Sequence, residues 1–251
     1  MNLVVDLNAD LGEGTGQDQE LLELVSSANI ATGFHAGDGD SMRAAISAAA
    51  RRDVAVGAHP SLFDRENFGR KEIRTTPSEV FEAVAYQLGV FQAIAEAVKV
   101  RPAHIKPHGA LYNMAARDRE LADAIARAVT TVDSGLILFA PPCSELAMAG
   151  QAHGLRIVCE CFADRNYMPD GSLVSRTRPD ALLHDPAAAA TRVVRMLREG
   201  KIQSVEGTDV EIQVETVCLH GDTPGAVNFA RALRDRLESE HVQIQAPGKS
   251  R

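Results

Sequence analysis

Strand-length apolar runs alternate with helix-period segments along this chain, and polar residues collect immediately after the strands. That pattern admits few folds, because strand–helix–strand units running in one direction build a parallel sheet whose carboxyl ends share one side. Leu3 to Asn8 predicts a first, mostly buried strand, followed by a polar, glycine-rich loop from Asn8 to Gly14. Leu21, Leu24 and Val25, at helical spacing, predict a helix across Gln17 to Ser27. A second apolar run, Ala28 to Phe34, ends in the polar stretch His35 to Asp40, and Asp40 or Ser41 is suited to cap a helix from Met42 to Arg52. Val54 to Ala58 predicts a third strand, ending at His59 and Pro60.

A long irregular segment, Ser61 to Thr76, carries Asp64, Arg65, Asn67, Phe68 and Arg70, and has the length of a lid or binding loop. Pro77 opens a helix to about Val98. In the stretch from His104 to Asn113 a short strand stops where Pro107 removes a backbone donor, which directs Lys106 and His108 to a strand mouth. Gly109 then allows a tight turn into a helix bearing Tyr112. Helices across Asp118 to Val132 and Ser144 to His153 flank a strand, Gly135 to Phe139, and the strand Leu155 to Cys161 follows. After a second long loop, Phe162 to Arg176, a helix runs from Asp185 or Pro186 to about Gly200, and Val214 to His220 predicts a seventh strand. Thr223 is placed to cap a final helix through about Glu238.

About seven strands alternating with helices predict an α/β fold: one TIM-like (β/α) barrel domain, residues 1–246, with a disordered tail at 247–251. The barrel is preferred to an open sheet for a specific reason. Asn8/Asp10, His35/Asp38, His59, Lys106/His108, Asp164/Arg165 and His220/Asp222 all follow strands. A barrel brings all those loops to one mouth, whereas an open sheet joins only those at its switch point.

No apolar run approaches the roughly 20 residues of a membrane span, and the first residues lack the marks of a signal peptide, so a cytoplasmic protein is expected. Lys+Arg of 26 against Asp+Glu of 34, with no basic stripe, argues against nucleic acid and membrane surfaces as partners. The four cysteines form no CxxC pair and predict buried free thiols.

His35, His59, His108 and His220, with Asp10, Asp38 and Asp222, could hold a divalent cation or serve as acid–base groups. There is no HExxH and no H-x₃-H, so spacing leaves both open, and GxSxG and GxxxxGK[ST] patterns are absent. The stretch Gly12 to Gly14 is too short for a dinucleotide fingerprint. Lys106, one of only five lysines, offers a compact point charge whose pKa falls if desolvated. Arg65, Arg70, Arg165 and Arg176 in the long loops could clamp a carboxylate or phosphate.

Six stretches together resemble the LamB/YcsF family, the A subunits of 5-oxoprolinase: Asp6 to Gly14, Ala31 to Asp38, Gly57 to Ser61 with Asp64 to Arg70, Lys106 to Tyr112, Phe162 to Arg165, and Cys218 to Asp222. They run over nearly the whole chain in order. The resemblance implies a seven-stranded barrel related to deacetylase-type barrels. It also implies ATP-dependent opening of 5-oxo-L-proline to L-glutamate, with ATP as co-substrate and 5-oxoprolinase subunits B and C as partners. From the residues themselves we assign Asp10, His35, His59, Lys106 and His108 to catalysis. Asn8, Arg65, Arg70, Tyr112, Arg165, His220 and Asp222 are assigned to substrate or phosphate binding. Two other readings fit the same inventory: a metal-dependent amide hydrolase or deacetylase acting without ATP, and a non-catalytic protein presenting substrate to partners.

Overall fold

The structure, a computed structural model, describes residues 3–219 and 225–248. In chain order it comprises β1 (Val4–Leu11), α1 (Asp18–Leu21), β2 (Ser27–Ala31), α2 (Gly39–Ala50), β3 (Ala55–His59) and α3 (Pro77–Ala97). Next come β4 (His104–Ile105), α4 (Gly109–Ala115), α5 (Arg119–Asp133), β5 (Ile137–Ala140), α6 (Glu145–Ala152) and β6 (Ile157–Phe162). The chain continues with α7 (Pro186–Glu199), β7 (Lys201–Gln203), β8 (Asp209–Glu211), β9 (Thr216–Leu219), α8 (Ala226–Ser239) and β10 (Gln243–Ile244).

Strands β1 to β6 pair in sequence order, all parallel, β6 pairs with β9, and β9 closes on β1. The expected seven-stranded barrel is therefore present. β10 adds to the lower end of β1, where Val4 lies opposite Gln243, and β7 and β8 form an antiparallel hairpin outside the barrel.

Two helix starts show how local chemistry sets the frame. Asp38, not Asp40 or Ser41, is the N-cap of α2: its carboxylate accepts from the Asp40 and Ser41 amides, while the Ser41 hydroxyl accepts from the Asp38 amide. Thr76 and Glu79 make the same reciprocal arrangement before α3, with Pro77 at the first helical position. The expected helix across Gln17 to Ser27 shrinks to one turn, because β1 runs on to Leu11 and β2 already starts at Ser27. Leu21, Leu24 and Val25 are still buried, as packing rather than as a helix face. The β7–β8 hairpin was not expected from the sequence; Ile202 and Ile212 pack there with Cys161, Tyr167 and Met196. Of the thiols, Cys161 and Cys218 are buried as expected, but Cys143 is exposed and Cys159 half-buried.

The barrel interior is polar where the strands would be expected to supply branched aliphatics. Along β1, Val5, Leu7, Ala9 and Leu11 join the main apolar cluster between barrel and helices, so the alternate residues Asp6, Asn8 and Asp10 point inward. The polar expectation for a loop from Asn8 is corrected accordingly: Asn8 and Asp10 are strand residues facing the lumen. Asn8 donates to Glu160 Oε1 at 3.0 Å and to Thr216 Oγ1 at 2.7 Å, and Thr216 donates to Asp6. Lower in the barrel His104 stacks on Phe139, with centroids 4.3 Å apart, and fills the space beside Gly57.

That space is the room a side chain at position 57 would need, since a Cβ there would lie 2.2 Å from the His104 ring. Gly57→Ala should lower stability by about 2 to 3 kcal/mol or more through overpacking of two strands, measured by urea denaturation. Asp6 gives a pH prediction. Burial raises its carboxyl to about 6 from 3.8, opposed by hydrogen bonds from Ser26, Thr216 and Ser27. An acid that holds its proton more tightly when folded favours folding at low pH and loses that contribution as pH rises through the folded value. The span from 3.8 to about 6 corresponds to ~3 kcal/mol. Asp6→Asn should remove that fall in stability between pH 3.8 and about 6, seen in denaturation midpoints across the window.

Candidate active site at the barrel mouth

Lys106 follows β4 directly, and its amide remains tied to Ala58 O of β3 at 3.0 Å, so its side chain enters the upper lumen. Its ammonium lies 3.0 Å from Asp10 Oδ1, 2.9 Å from Glu160 Oε1, 3.3 Å from Asn8 Oδ1 and 2.9 Å from Cys218 Sγ. Four groups from β1, β6 and β9 thus converge on one cation that is 2% exposed. Burial alone would lower its pKa, as expected from the sequence, but Asp10, Cys218 and Glu160 outweigh burial and hold it well above its ordinary value. Lys106 is a fixed positive charge here, and is no general base. Burial keeps Cys218 a thiol despite the neighbouring ammonium.

Above this charge centre sit three imidazoles. His59 ends β3, His108 N-caps α4, and His35 follows β2. His59 Nδ1 faces Lys106 O at 2.7 Å, and its Nε2 lies 2.9 Å from His108 Nδ1 and 3.4 Å from Asp10 Oδ2. His108 Nε2 faces Phe68 O at 2.8 Å. His35 stacks on His108 with centroids 3.9 Å apart and places Nε2 3.0 Å from Glu13 Oε1. Burial, then the neighbouring His59, holds His35 well below the ordinary imidazole value; burial, then His35, does the same for His108. Both are neutral bases at physiological pH. Glu13, His35, His59 and His108 offer donor atoms that all lie within 4.8 Å of one another, and this buried set can hold a metal ion.

The long segment after β3 packs against the histidines through Phe68 and Gly69. Phe68 and Gly69 both take positive φ, and a Cβ on Gly69 would meet His35 and His108 at 2.8 and 2.9 Å. The Gly69 carbonyl in turn accepts from Ala110 N at 2.8 Å, and a Cβ on Gly109 would sit 2.4 Å from that carbonyl oxygen. Glycine is required at both positions by close backbone approach as well as by φ.

The structure therefore brings together Asn8, Asp10, His35, His59, Lys106 and His108. Asn8, expected to bind substrate or phosphate, contacts Lys106, Glu160, Thr216 and Asn29 inside the barrel. Tyr112 is buried beside Phe162, its phenol held protonated by burial and then by the charge of Glu160. Arg70 lies over the Phe68 ring at 5.0 Å and adds positive potential at His35. Arg165 is 4% exposed, donates to Val174 O, and is lowered to about 10 by burial and then by Arg176. Arg65 stands apart: it donates to Gly33 O and Gly37 O and ties down the β2–α2 loop. Asp38 is spent on its helix cap. His220, Asp222 and the expected cap Thr223 lie outside the described residues. Sequence reasoning missed Glu13, Asn29, Glu160 and Cys218. Glu13 had a signal, standing between Gly12 and Gly14, both with positive φ. Glu160 had one too, as a lone acid in an apolar strand.

The LamB/YcsF family model matches residues 5–251. The chain is 49% identical over 247 residues to the 5-oxoprolinase A subunit of Bacillus licheniformis, spanning 96% of this chain and 98% of that protein. It is 47% identical over 252 residues to the 5-oxoprolinase A subunit of Bacillus subtilis, with 98% of each covered. A lactam utilization protein from Thermus thermophilus, known from its crystal structure, superposes with a TM-score of 0.91 at 42% identity, covering 97% of this chain and all of that one. A T48 deacetylase, 12% identical, shares the fold alone at a TM-score of 0.51, covering 97% and 87% of the two chains.

Removing the ammonium would leave Asp10 and Glu160 buried without their shared cation. Lys106→Met should therefore destabilise the protein by about 3 to 5 kcal/mol in urea denaturation. Lys106→Met combined with Glu160→Gln should recover part of that loss.

Proposed function

The chain belongs to the LamB/YcsF family, and from that premise we propose that it is the A subunit of a cytoplasmic 5-oxoprolinase, opening 5-oxo-L-proline to L-glutamate with ATP hydrolysis. The observation that carries this reading is near-full-length identity of 46 to 49% to three relatives of that name. No helix among the described residues is long and apolar enough to cross a membrane.

The site inventory suits the chemistry. A five-membered lactam is resonance-stabilised, so water attacks its carbonyl slowly. Phosphorylation of the amide oxygen by ATP makes that carbon electrophilic. Water then adds, the C–N bond breaks as the ring nitrogen takes up a proton to become the amine, and a second water hydrolyses the resulting acyl phosphate to the glutamate carboxylate and inorganic phosphate. Such a sequence needs a fixed cation beside developing negative charge, a neutral base for water, and an anchor for the substrate carboxylate. Lys106 is a buried, permanently charged ammonium preorganised by Asp10 and Glu160. His35 is a buried neutral imidazole. Arg165, desolvated and next to Arg176 and Arg70 in its electrostatic surroundings, is the carboxylate anchor, with Arg70 at the rim. The sequence carries no GxxxxGK[ST] loop for ATP, and subunits B and C complete the nucleotide-dependent step.

The test is release of ADP and glutamate from 5-oxo-L-proline and ATP, by the purified chain and by its mixture with subunits B and C. Coupled release from the mixture and none from the single chain is the expected result. A mixture that turns over neither substrate would overturn the activity. Equal rates for chain and mixture would overturn the division of labour.

A further inference from the structure

The geometry points to a resident transition-metal ion at the barrel mouth, of the zinc class, bound by His59 Nε2, His108 Nδ1 and the Glu13 carboxylate, with His35 as the residue that positions Glu13. The argument starts from which imidazole nitrogens carry hydrogen. His59 Nδ1 lies 2.7 Å from Lys106 O, and a backbone carbonyl can only accept, so Nδ1 carries hydrogen and, in the neutral ring, the lone pair is on Nε2. His108 Nε2 lies 2.8 Å from Phe68 O, so by the same reasoning its lone pair is on Nδ1. These two lone-pair nitrogens face each other across 2.9 Å in the interior. Two neutral imidazoles so held repel unless a cation lies where their lone pairs converge.

Three further observations favour a metal ion there over a shared proton. Glu13 Oε1 adds a third donor, 3.7 Å from His108 Nδ1 and 4.0 Å from His59 Nε2, completing a triangular face that a proton between two nitrogens would not use. Neighbouring donors around an ion with bonds of about 2.1 Å lie roughly 3 to 3.4 Å apart, so the two nitrogens at 2.9 Å already stand at about that spacing, and the carboxylate, at 3.7 and 4.0 Å, would close by a few tenths of an ångström on an ion. Each imidazole also donates its remote N–H to a backbone carbonyl, which is how metal-bound histidines are oriented. Finally, His35 Nε2 donates to Glu13 Oε1 at 3.0 Å, and its ring lies nearly parallel to His108 at 6°. That stacking turns its in-plane lone pair away from the shared point, and the buried Nδ1 has no hydrogen-bond partner. Two imidazoles and one carboxylate suit zinc, iron(II) or manganese and are poor ligands for magnesium, which prefers oxygen. Bound there, the ion would polarise a carbonyl or activate water a short distance from Lys106.

The site can be tested on the single chain, independently of turnover, so its failure and that of the ring-opening reading are distinguishable. Chelator-treated protein is titrated with zinc, cobalt and magnesium chlorides, followed by calorimetry, metal analysis after desalting, and the visible spectrum of the cobalt form. About one equivalent of zinc or cobalt should be retained, with cobalt bands distinct from the hydrated ion, and magnesium should be lost. His59→Gln and His108→Gln, each with native far-UV circular dichroism, should weaken zinc binding by at least roughly 100-fold. His35→Gln should weaken it by roughly 10- to 100-fold, and His153→Gln, whose ring pairs with Asp123 elsewhere, should leave it unchanged. Retention of little or no zinc by the wild type overturns the proposal, as does wild-type affinity in a native-like His108→Gln. If the histidine variants fail to fold, Glu13→Gln and the wild-type cobalt spectrum decide it: unchanged affinity, or a spectrum equal to the hydrated ion, overturns it.

Discussion

The interior of this barrel is built around one buried ammonium. Lys106 neutralises part of the charge of Asp10 and Glu160, which approach from strands on opposite flanks of the closure between β9 and β1. Two unit charges about 4 Å apart interact by roughly 4 kcal/mol at an effective dielectric of 20, so neither carboxylate would be tolerated in the lumen without the cation, nor the cation without them. The uncharged polar groups then follow. Asn8, Asn29 and Thr216 each take a position where they donate to one carboxylate and are oriented by another group. A lumen filled this way fixes strand register more stringently than an aliphatic one, since a one-residue slip would turn a whole polar row toward the helices.

The second dependence runs through backbone. The loop after β3 reaches the histidines only because Gly69 and Gly109 lack side chains, and its Phe68 carbonyl then fixes the tautomer of His108. The imidazoles are shielded by the same contact that orients them.

Much of this was legible in the sequence. Alternation of apolar strands with helices indicated the barrel, and the placing of polar residues after strands indicated the mouth that Asp10, His35, His59, Lys106 and His108 share. What was not legible has identifiable causes. Asp6, Asn8 and Asp10 alternate with apolar neighbours, but that signal merges with the glycine-rich loop following, so the strand seemed to end early and the polar lumen was hidden. Glu160 and Cys218 matter only because β6 and β9 are brought beside β1, a relation carried by closure and not by spacing. Arg65 illustrates what residue type leaves out: it suited an anion clamp, and the fold also uses it to hold two carbonyls of the loop after β2. The β7–β8 hairpin escaped because three-residue strands give too little periodicity to read.

Asp10 joins the two layers of the site. Its Oδ1 accepts from Lys106 and Asn29, while its Oδ2 lies 3.4 Å from His59 Nε2. A positive charge arriving at the histidines, whether a proton or a metal ion, is therefore felt by the carboxylate that also holds the ammonium. That carboxylate is buried and its Oδ1 is also held by Asn29, so charge added at His59 competes with Lys106 for it. The ammonium would then depend more heavily on Glu160, and charge at the mouth would alter the field that Lys106 presents to a bound ligand without moving a strand.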